Sequence, residues 1–163
     1  MTELITYSNI VFKIANTNLE FDDGRNLFQQ YAHSLGIDLY FQDFSHELIT
    51  IGKQYNQPKS ALLLAYDNKI AIGCAAILEF DKSTAELKRM FVLPKYREYK
   101  IGRQLLELAI DIATELNYTK IRLDTLPTMT EALYLYRTFD FYEIPPYRFN
   151  AIEGTIFMEK KLS

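Results

Sequence analysis

Residues 86–116, ELKRMFVLPKYREYKIGRQLLELAIDIATEL, decide how the rest of the chain is read. The stretch predicts a strand, a short basic loop and a long helix. Glu86 to Val92 forms the strand, with Met90, Phe91 and Val92 as its apolar end. Pro94 stops it, because proline has no N–H to give to a ladder. Ile101, Leu105, Leu108, Ala109, Ile112 and Leu116 recur at helical spacing and make one apolar stripe. Gly102 stands at the helix entry, where a missing side chain lets another group approach the backbone. A helix start offers unpaired N–H groups and the positive end of a dipole, which together suit a phosphate. Lys95, Arg97, Lys100 and Arg103 surround that start. Cations ordinarily favour a helix's C-terminal end, so their clustering here points to an anion arriving from outside.

The segment Arg97-Glu98-Tyr99-Lys100-Ile101-Gly102 resembles the acyl-CoA loop, R/Q-x-x-G-x-G/A, of the GNAT superfamily of N-acetyltransferases. Its first and last positions agree, and Lys100 replaces the middle glycine. The flanking M-x-V-x-P-x-x-R and G-R-x-L-L patterns strengthen the likeness. Further on, ALYLYRTFDF (132–141) is similar to the family's A-x-x-L-Y-x-x-x-G-F, with Asp140 in place of glycine. Asp tolerates left-handed backbone better than most residues, so a helix can still end there. Met129 stands where the family often carries asparagine.

The bulk properties set wider limits. A chain of 163 residues suits one domain, here 1–163, and is long enough to bury a sizeable core. Apolar residues make 48% and charged residues 24%, an ordinary globular balance. The net charge of −3 disfavours a general nucleic-acid role. One cysteine, Cys74, rules out an internal disulfide and fits a reducing compartment, and two scattered histidines give no metal-ligand spacing. No signal peptide is evident and no apolar run approaches a membrane span, so a cytoplasmic protein away from membranes is expected.

Read in order, IVFKIA (10–15) predicts a first strand with Ile10, Phe12 and Ile14 inward. Asp22 and Asp23 are candidate caps of a helix running to Leu35, with Gly36 as its stop. Phe41, Phe44, Leu48 and Ile51 are spaced for a second, short helix, and FQDFSHEL is similar to a version found in small bacterial GNAT members. SALLLAY (60–66) and IAIGCAAILEF (70–80) flank the tight turn Asp67-Asn68-Lys69, so these strands and the next are antiparallel neighbours. The small residues Gly73 to Ala76 call for a bulky neighbour. TKIRLDTL (119–126), reached through a helix, is a strand parallel to the Glu86–Val92 strand. A helix at about 129–139, a short strand from Phe141 and a last strand in TIFMEKKL complete the order β α α β β β α β α β β. That order is the GNAT order: an α/β fold with a mixed sheet of six to seven strands and about four helices.

The resemblance implies acetyl-CoA as cosubstrate, no metal, and transfer of an acetyl group to a primary amine by direct attack in a ternary complex. The loop from Arg97 through Glu98, Tyr99, Lys100, Ile101 and Gly102 to Arg103 would hold the pyrophosphate. Lys100 is tolerable there if its φ is negative. Met90, Phe91 and Val92 would offer N–H groups to the pantetheine arm and the thioester carbonyl. Tyr136, in the family's tyrosine position, would protonate the departing thiolate. Glu86 is the candidate base, with Glu79 and water as rivals. Strand alternation puts Glu86, Lys88 and Met90 on one face and Leu87, Arg89 and Phe91 on the other. From position alone, Asp38, Asp43 and Glu47 offer negative charge to an amine, and Tyr147 and Asn150 line its pocket. The acceptor is a small molecule or a peptide, and a homodimer is possible. A second reading is a module of the same fold that binds acyl-CoA as a sensor without turnover.

Overall fold

A computed structural model describes residues 9–36, 43–150 and 152–162. Its elements are β1 (Ile10–Ile14), α1 (Asn18–Leu35), α2 (Phe44–Ile49), α3 (Ile51–Gln54), β2 (Ala61–Asp67), β3 (Ile70–Glu79) and β4 (Thr84–Val92). A 3₁₀ turn (Pro94–Tyr99) leads into α4 (Ile101–Glu115), followed by β5 (Lys120–Thr125), α5 (Thr130–Thr138), β6 (Tyr142–Ile144) and β7 (Ile156–Lys161). The strands form one sheet in the order β1-β2-β3-β4-β5-β7-β6. Among the described residues β4 and β5 are the one parallel pair, because α4 carries the chain back across the sheet between them. The mixed α/β fold expected from the sequence is therefore present.

Each face of the sheet buries its own core. On one face α4 and α5 press Ile101, Leu105, Leu106, Ala109 and Leu133 onto Ala75, Ile77, Ala85, Leu87, Ile121 and Leu123. On the other, α1 and α3 press Phe21, Leu27, Phe28 and Ile51 onto Leu62, Leu64, Cys74 and Ala76. The small run in β3 meets the bulky neighbour it calls for. A Cβ on Gly73 would lie 3.2 Å from both Leu105 Cδ1 and the Phe91 carbonyl oxygen.

Three local expectations need correction. α1 begins before Asp22 and Asp23, because Thr17 and Glu20 form a reciprocal capping box. Asp22 and Asp23 lie inside the helix, where Asp23 accepts a hydrogen bond from the Tyr66 hydroxyl at 2.7 Å. Gly36 does close the helix, at φ 62°. Ile10 and Phe12 pack inward, but Ile14 is half exposed at the end of an edge strand. The alternation along β4 is also interrupted. The β3–β4 register slips between Cys74 and Ala76, so one extra residue bulges from β4. Arg89 takes φ 56° there. Beyond the bulge Met90 and Val92 join Ala85 and Leu87 on the α4 face. Arg89 and Phe91 turn to the α1–α3 face, the face of Glu86 and Lys88.

Candidate active site

The parallel pair holds only three rungs, Thr84–Lys120, Ala85–Ile121 and Glu86–Arg122. Past Glu86 the two strands diverge. The β4–β5 ladder therefore stops at Glu86, while β4 stays paired to β3 on either side of its bulge and β5 stays paired to β7 along its whole length. The resulting cleft, together with the open solvent at its mouth, spans about 710 Å³. Leu87, Lys88, Arg89 and Met90 line one wall, Leu123, Asp124 and Thr125 the other, and Tyr136 reaches in from α5.

The start of α4 lies at the end of β4, beyond the 3₁₀ turn. Its N-cap, Lys100, sits at φ 58° and ψ 23° and gives no side-chain cap. The left-handed backbone that glycine would adopt easily is thus kept by a lysine, contrary to the negative φ its tolerance was expected to need. No acidic side chain stands in the first turn of α4, so its leading N–H groups face outward without an anionic cap. A Cβ on Gly102 would touch only Val92 Cγ2, at 3.8 Å, so internal packing does not require glycine there. Arg97 is partly committed: its Nε donates to the Val92 carbonyl at 3.1 Å. Arg103 lies over the Phe139 ring.

On the α1–α3 face, charged groups gather at the fork of β4 and β5. Glu86 is buried and accepts from the Tyr147 hydroxyl at 3.0 Å and from Arg148 Nη1 at 3.1 Å. Arg148 Nη2 also donates to Asp124 Oδ2 at 3.2 Å, and Asn150 Nδ2 reaches the same oxygen at 3.2 Å. The Tyr147–Asn150 segment is thereby strapped across the two carboxylates. Burial first, and the Glu86 charge second, push the Tyr147 phenol far above its usual pKa. Lys88 lies half-buried in the cleft wall, and burial lowers its ammonium pKa most, with Arg89 and Arg148 adding to the effect against Glu47 and Glu86.

Arg89 and Glu47 form a second buried pair, Nη2 to Oε1 at 2.7 Å, and the Tyr55 hydroxyl donates to Glu47 Oε2 at 2.6 Å. Cys74 is buried beneath it; its Sγ donates to the Arg89 carbonyl at 3.2 Å, and burial pushes the thiol pKa far up.

Tyr136 is almost fully buried, and burial raises its phenol pKa far above 10, so the hydroxyl keeps its proton at neutral pH. The helix that carries it ends as expected at Asp140, φ 68°, where Phe141 donates its N–H back to the Tyr136 carbonyl at 3.0 Å. Met129 occupies the N-cap of α5 without a side-chain cap and accepts a weak 3.7 Å contact from Thr125 Oγ1.

The sequence candidates therefore divide. Met90, Tyr136 and Asn150 line the cleft. Glu86 lies beside it under the strap, which Tyr147 begins. Glu47 is consumed by Arg89 and Tyr55, which takes it out of position to meet a substrate amine. Asp43 is exposed, at φ 55° before α2. Asp38 lies outside the described residues. Glu79 is exposed at the far end of β3. Lys88, Asp124 and Arg148 were missed. Alternation in β5 was the available signal for Asp124: Ile121 and Leu123 are core, so Arg122 and Asp124 share the Glu86 face. No group of three or more metal-ligating side chains, and no helix long and apolar enough to cross a membrane, occurs among the described residues.

Comparison with known proteins gives the same picture. The model of the acetyltransferase (GNAT) family matches residues 23–141. An uncharacterised N-acetyltransferase of Schizosaccharomyces pombe is 34% identical over 96% of this chain and 97% of its own. The crystal structure of an acetyltransferase from Streptococcus agalactiae superposes with a TM-score of 0.78, at 25% identity over 96% of this chain and 100% of that one. A Salmonella typhimurium acetyltransferase, solved with its cofactor acetyl-CoA, shares the fold with a TM-score of 0.68 at 15% identity, covering 95% of each chain. With its forked parallel pair, its uncapped helix start and these likenesses, the chain belongs to the GNAT acetyltransferase family.

Proposed function

We propose that the protein transfers an acetyl group from acetyl-CoA to a primary amine by direct attack in a ternary complex. The observation that carries this reading is the alignment of the β4–β5 fork with the uncapped start of α4. The residues present fit the cofactor on two counts. The first-turn N–H groups of Ile101, Gly102 and Arg103 suit a pyrophosphate, and Gly102 leaves its approach open. The mixed cleft walls, with Leu87, Met90 and Leu123 beside polar groups, and the end of the parallel ladder before Met90, Phe91 and Val92 suit an amide-bearing arm.

Bound there, acetyl-CoA supplies a thioester carbon to which the amine nitrogen bonds as the C–S bond breaks, giving an amide and a free thiol. The chain's residues divide the remaining work. An N–H group of the 90–92 segment donates to the carbonyl oxygen, a contact that typically contributes about 10²- to 10³-fold in rate. A substrate ammonium near pKa 10.4 must lose a proton before it attacks. Glu86 takes that proton, directly or through water, once the amine displaces Arg148 from its Oε atoms. Tyr136 gives its hydroxyl proton to the departing sulfur and regains one, through water, from the second N–H proton that the nitrogen sheds as the amide forms. Tyr147 and Asn150 bound the acceptor side. The neighbour solved with acetyl-CoA supports the choice of donor.

The occupation of Glu86 by Arg148 and Tyr147 favours a second reading, an acyl-CoA-binding module without turnover. Thiol release from acetyl-CoA, measured with and without an amine panel, separates the two. Amine-dependent release with formation of the acetylated amine supports transfer. Tight acetyl-CoA binding with no release for any amine would leave the sensor.

A further inference from the structure

Resting on the transfer reading, the charge pattern of the cleft narrows the acceptor. Among the described residues the charged groups at the fork are the carboxylates of Glu47, Glu86, Asp124 and Glu159 and the cations of Lys88, Arg89, Arg122 and Arg148, which balance one for one, with Arg122 held by Glu159 at 2.6 Å. Their pairing is uneven. Arg89 is held by Glu47, 2.7 Å away. Arg148 is shared between Glu86 at 2.8 Å and Asp124 at 3.2 Å. Among the described residues the Lys88 ammonium has no hydrogen bond and no ion pair, although the residue is half-buried and lines the cleft. An ammonium withdrawn from water without a partner is costly, and the groove around it is where a ligand anion would meet least competition.

The site thus has two poles. Glu86 and Asp124 share one ion-pair partner, Arg148, while the nearby Arg122 is committed to Glu159, so the two carboxylates retain an excess of negative charge toward an incoming ammonium. Lys88 stands beside them with none of that charge bonded to it. A ligand carrying an ammonium and a carboxylate close together matches both poles and leaves the balance of the cluster unchanged. A polyamine would set an extra cation against Lys88, and a phosphate ester would overload it.

We infer that the acceptor is a zwitterionic amino acid whose carboxylate is bound by Lys88 while its amine lies toward Glu86 and Asp124. Lys88 is then a specificity-determining residue, carried by the β4 segment just before the Arg89 bulge.

The test compares two acceptor pools with acetyl-CoA: free α-amino acids, and the matching amines from which the carboxylate is absent. Thiol release is expected to favour the best amino acid over its decarboxylated counterpart by about 100-fold in kcat/KM, the range set by a desolvated charge contact. In Lys88→Met that ratio should collapse to within about threefold of one, mainly through KM, and Lys88→Arg should restore part of it. A structural role for Lys88 would lower both activities and leave their ratio intact. The melting-temperature rise with acetyl-CoA alone should survive in both variants. Equal or better use of the decarboxylated amines overturns the assignment, as does an unchanged ratio in Lys88→Met. Release with neither pool, from a protein that acetyl-CoA stabilises, also overturns it and leaves the cofactor site standing. Failure of acetyl-CoA to stabilise the wild-type protein removes the transfer reading together with this one.

Discussion

The Arg89 guanidinium holds both carboxylate oxygens of Glu47, Nη2 to Oε1 at 2.7 Å and Nε to Oε2 at 3.2 Å, with both side chains buried. The pair fastens α2 to the bulge of β4, and so to one wall of the cleft. Removing one partner leaves an uncompensated buried charge, which costs far more than the pair itself contributes. Glu47→Ala should therefore lower unfolding stability by about 3–5 kcal/mol. Urea denaturation at neutral pH measures it, and a loss under about 1 kcal/mol would show that the pair is not tethering α2.

Acid should expose the same kind of linkage at the other end of α1. Lys13 first, and then the Asn16 N–H, hold the Glu20 carboxyl at about 2, below its usual 4.5. A group whose folded pKa is lowered adds stability above its unfolded value and loses it as pH falls through the folded one. Burial pushes Glu47 up, but the hydrogen bonds and charge of Arg89 outweigh it and its pKa is also lowered. Stability should thus fall from the ordinary carboxylate range downward. In Glu20→Gln the fall between pH 4.5 and about 2 should be shallower than in wild type, read from urea midpoints across that window.

Lys100 keeps a left-handed backbone at φ 58°. A side chain there costs about 1–2 kcal/mol relative to right-handed backbone, partly offset by the greater freedom that glycine loses on folding. Lys100→Gly should raise stability by about 0.5–1 kcal/mol, and it keeps the N–H of the loop. Thermal melting checks it. A destabilised variant would mean that the lysine side chain holds contacts worth more than the strain.

Tyr136 should act in transfer and not in binding. Replacing it with Phe keeps the ring packed against Phe141 and removes only the hydroxyl. We expect kcat to fall by about 10²-fold, with acetyl-CoA affinity unchanged, in steady-state kinetics paired with calorimetry. Because its pKa lies far above neutrality, this group should add no titration to the pH–rate profile across the neutral range.

Much of this was legible in the sequence. Element order, the parallel crossover and the left-handed Asp140 follow from periodicity and turn chemistry that act over a few residues. The start of α1 was legible too, in Thr17-x-x-Glu20, but the acidic pair Asp22–Asp23 drew attention instead. The β4 bulge was not. A single inserted residue leaves no trace in composition, yet it exchanges the faces of Arg89 and Met90 and decides which side chains reach the cleft. Nor was the strap. Arg148 meets Glu86 across 62 residues of chain, and only the completed sheet brings them together.

The central claim is that the β4–α4 junction is an acyl-CoA site, and Gly102 offers its most direct test. A side chain there meets nothing closer than Val92 Cγ2 at 3.8 Å, so Gly102→Val should stay folded. Acetyl-CoA binding by calorimetry, wild type against this variant, is the measurement. The account predicts clear binding to wild type and at least about a tenfold loss in a variant of unchanged fold, since a blocked anion approach forfeits its helix-start hydrogen bonds. No binding to wild type, or equal binding to both, would contradict it.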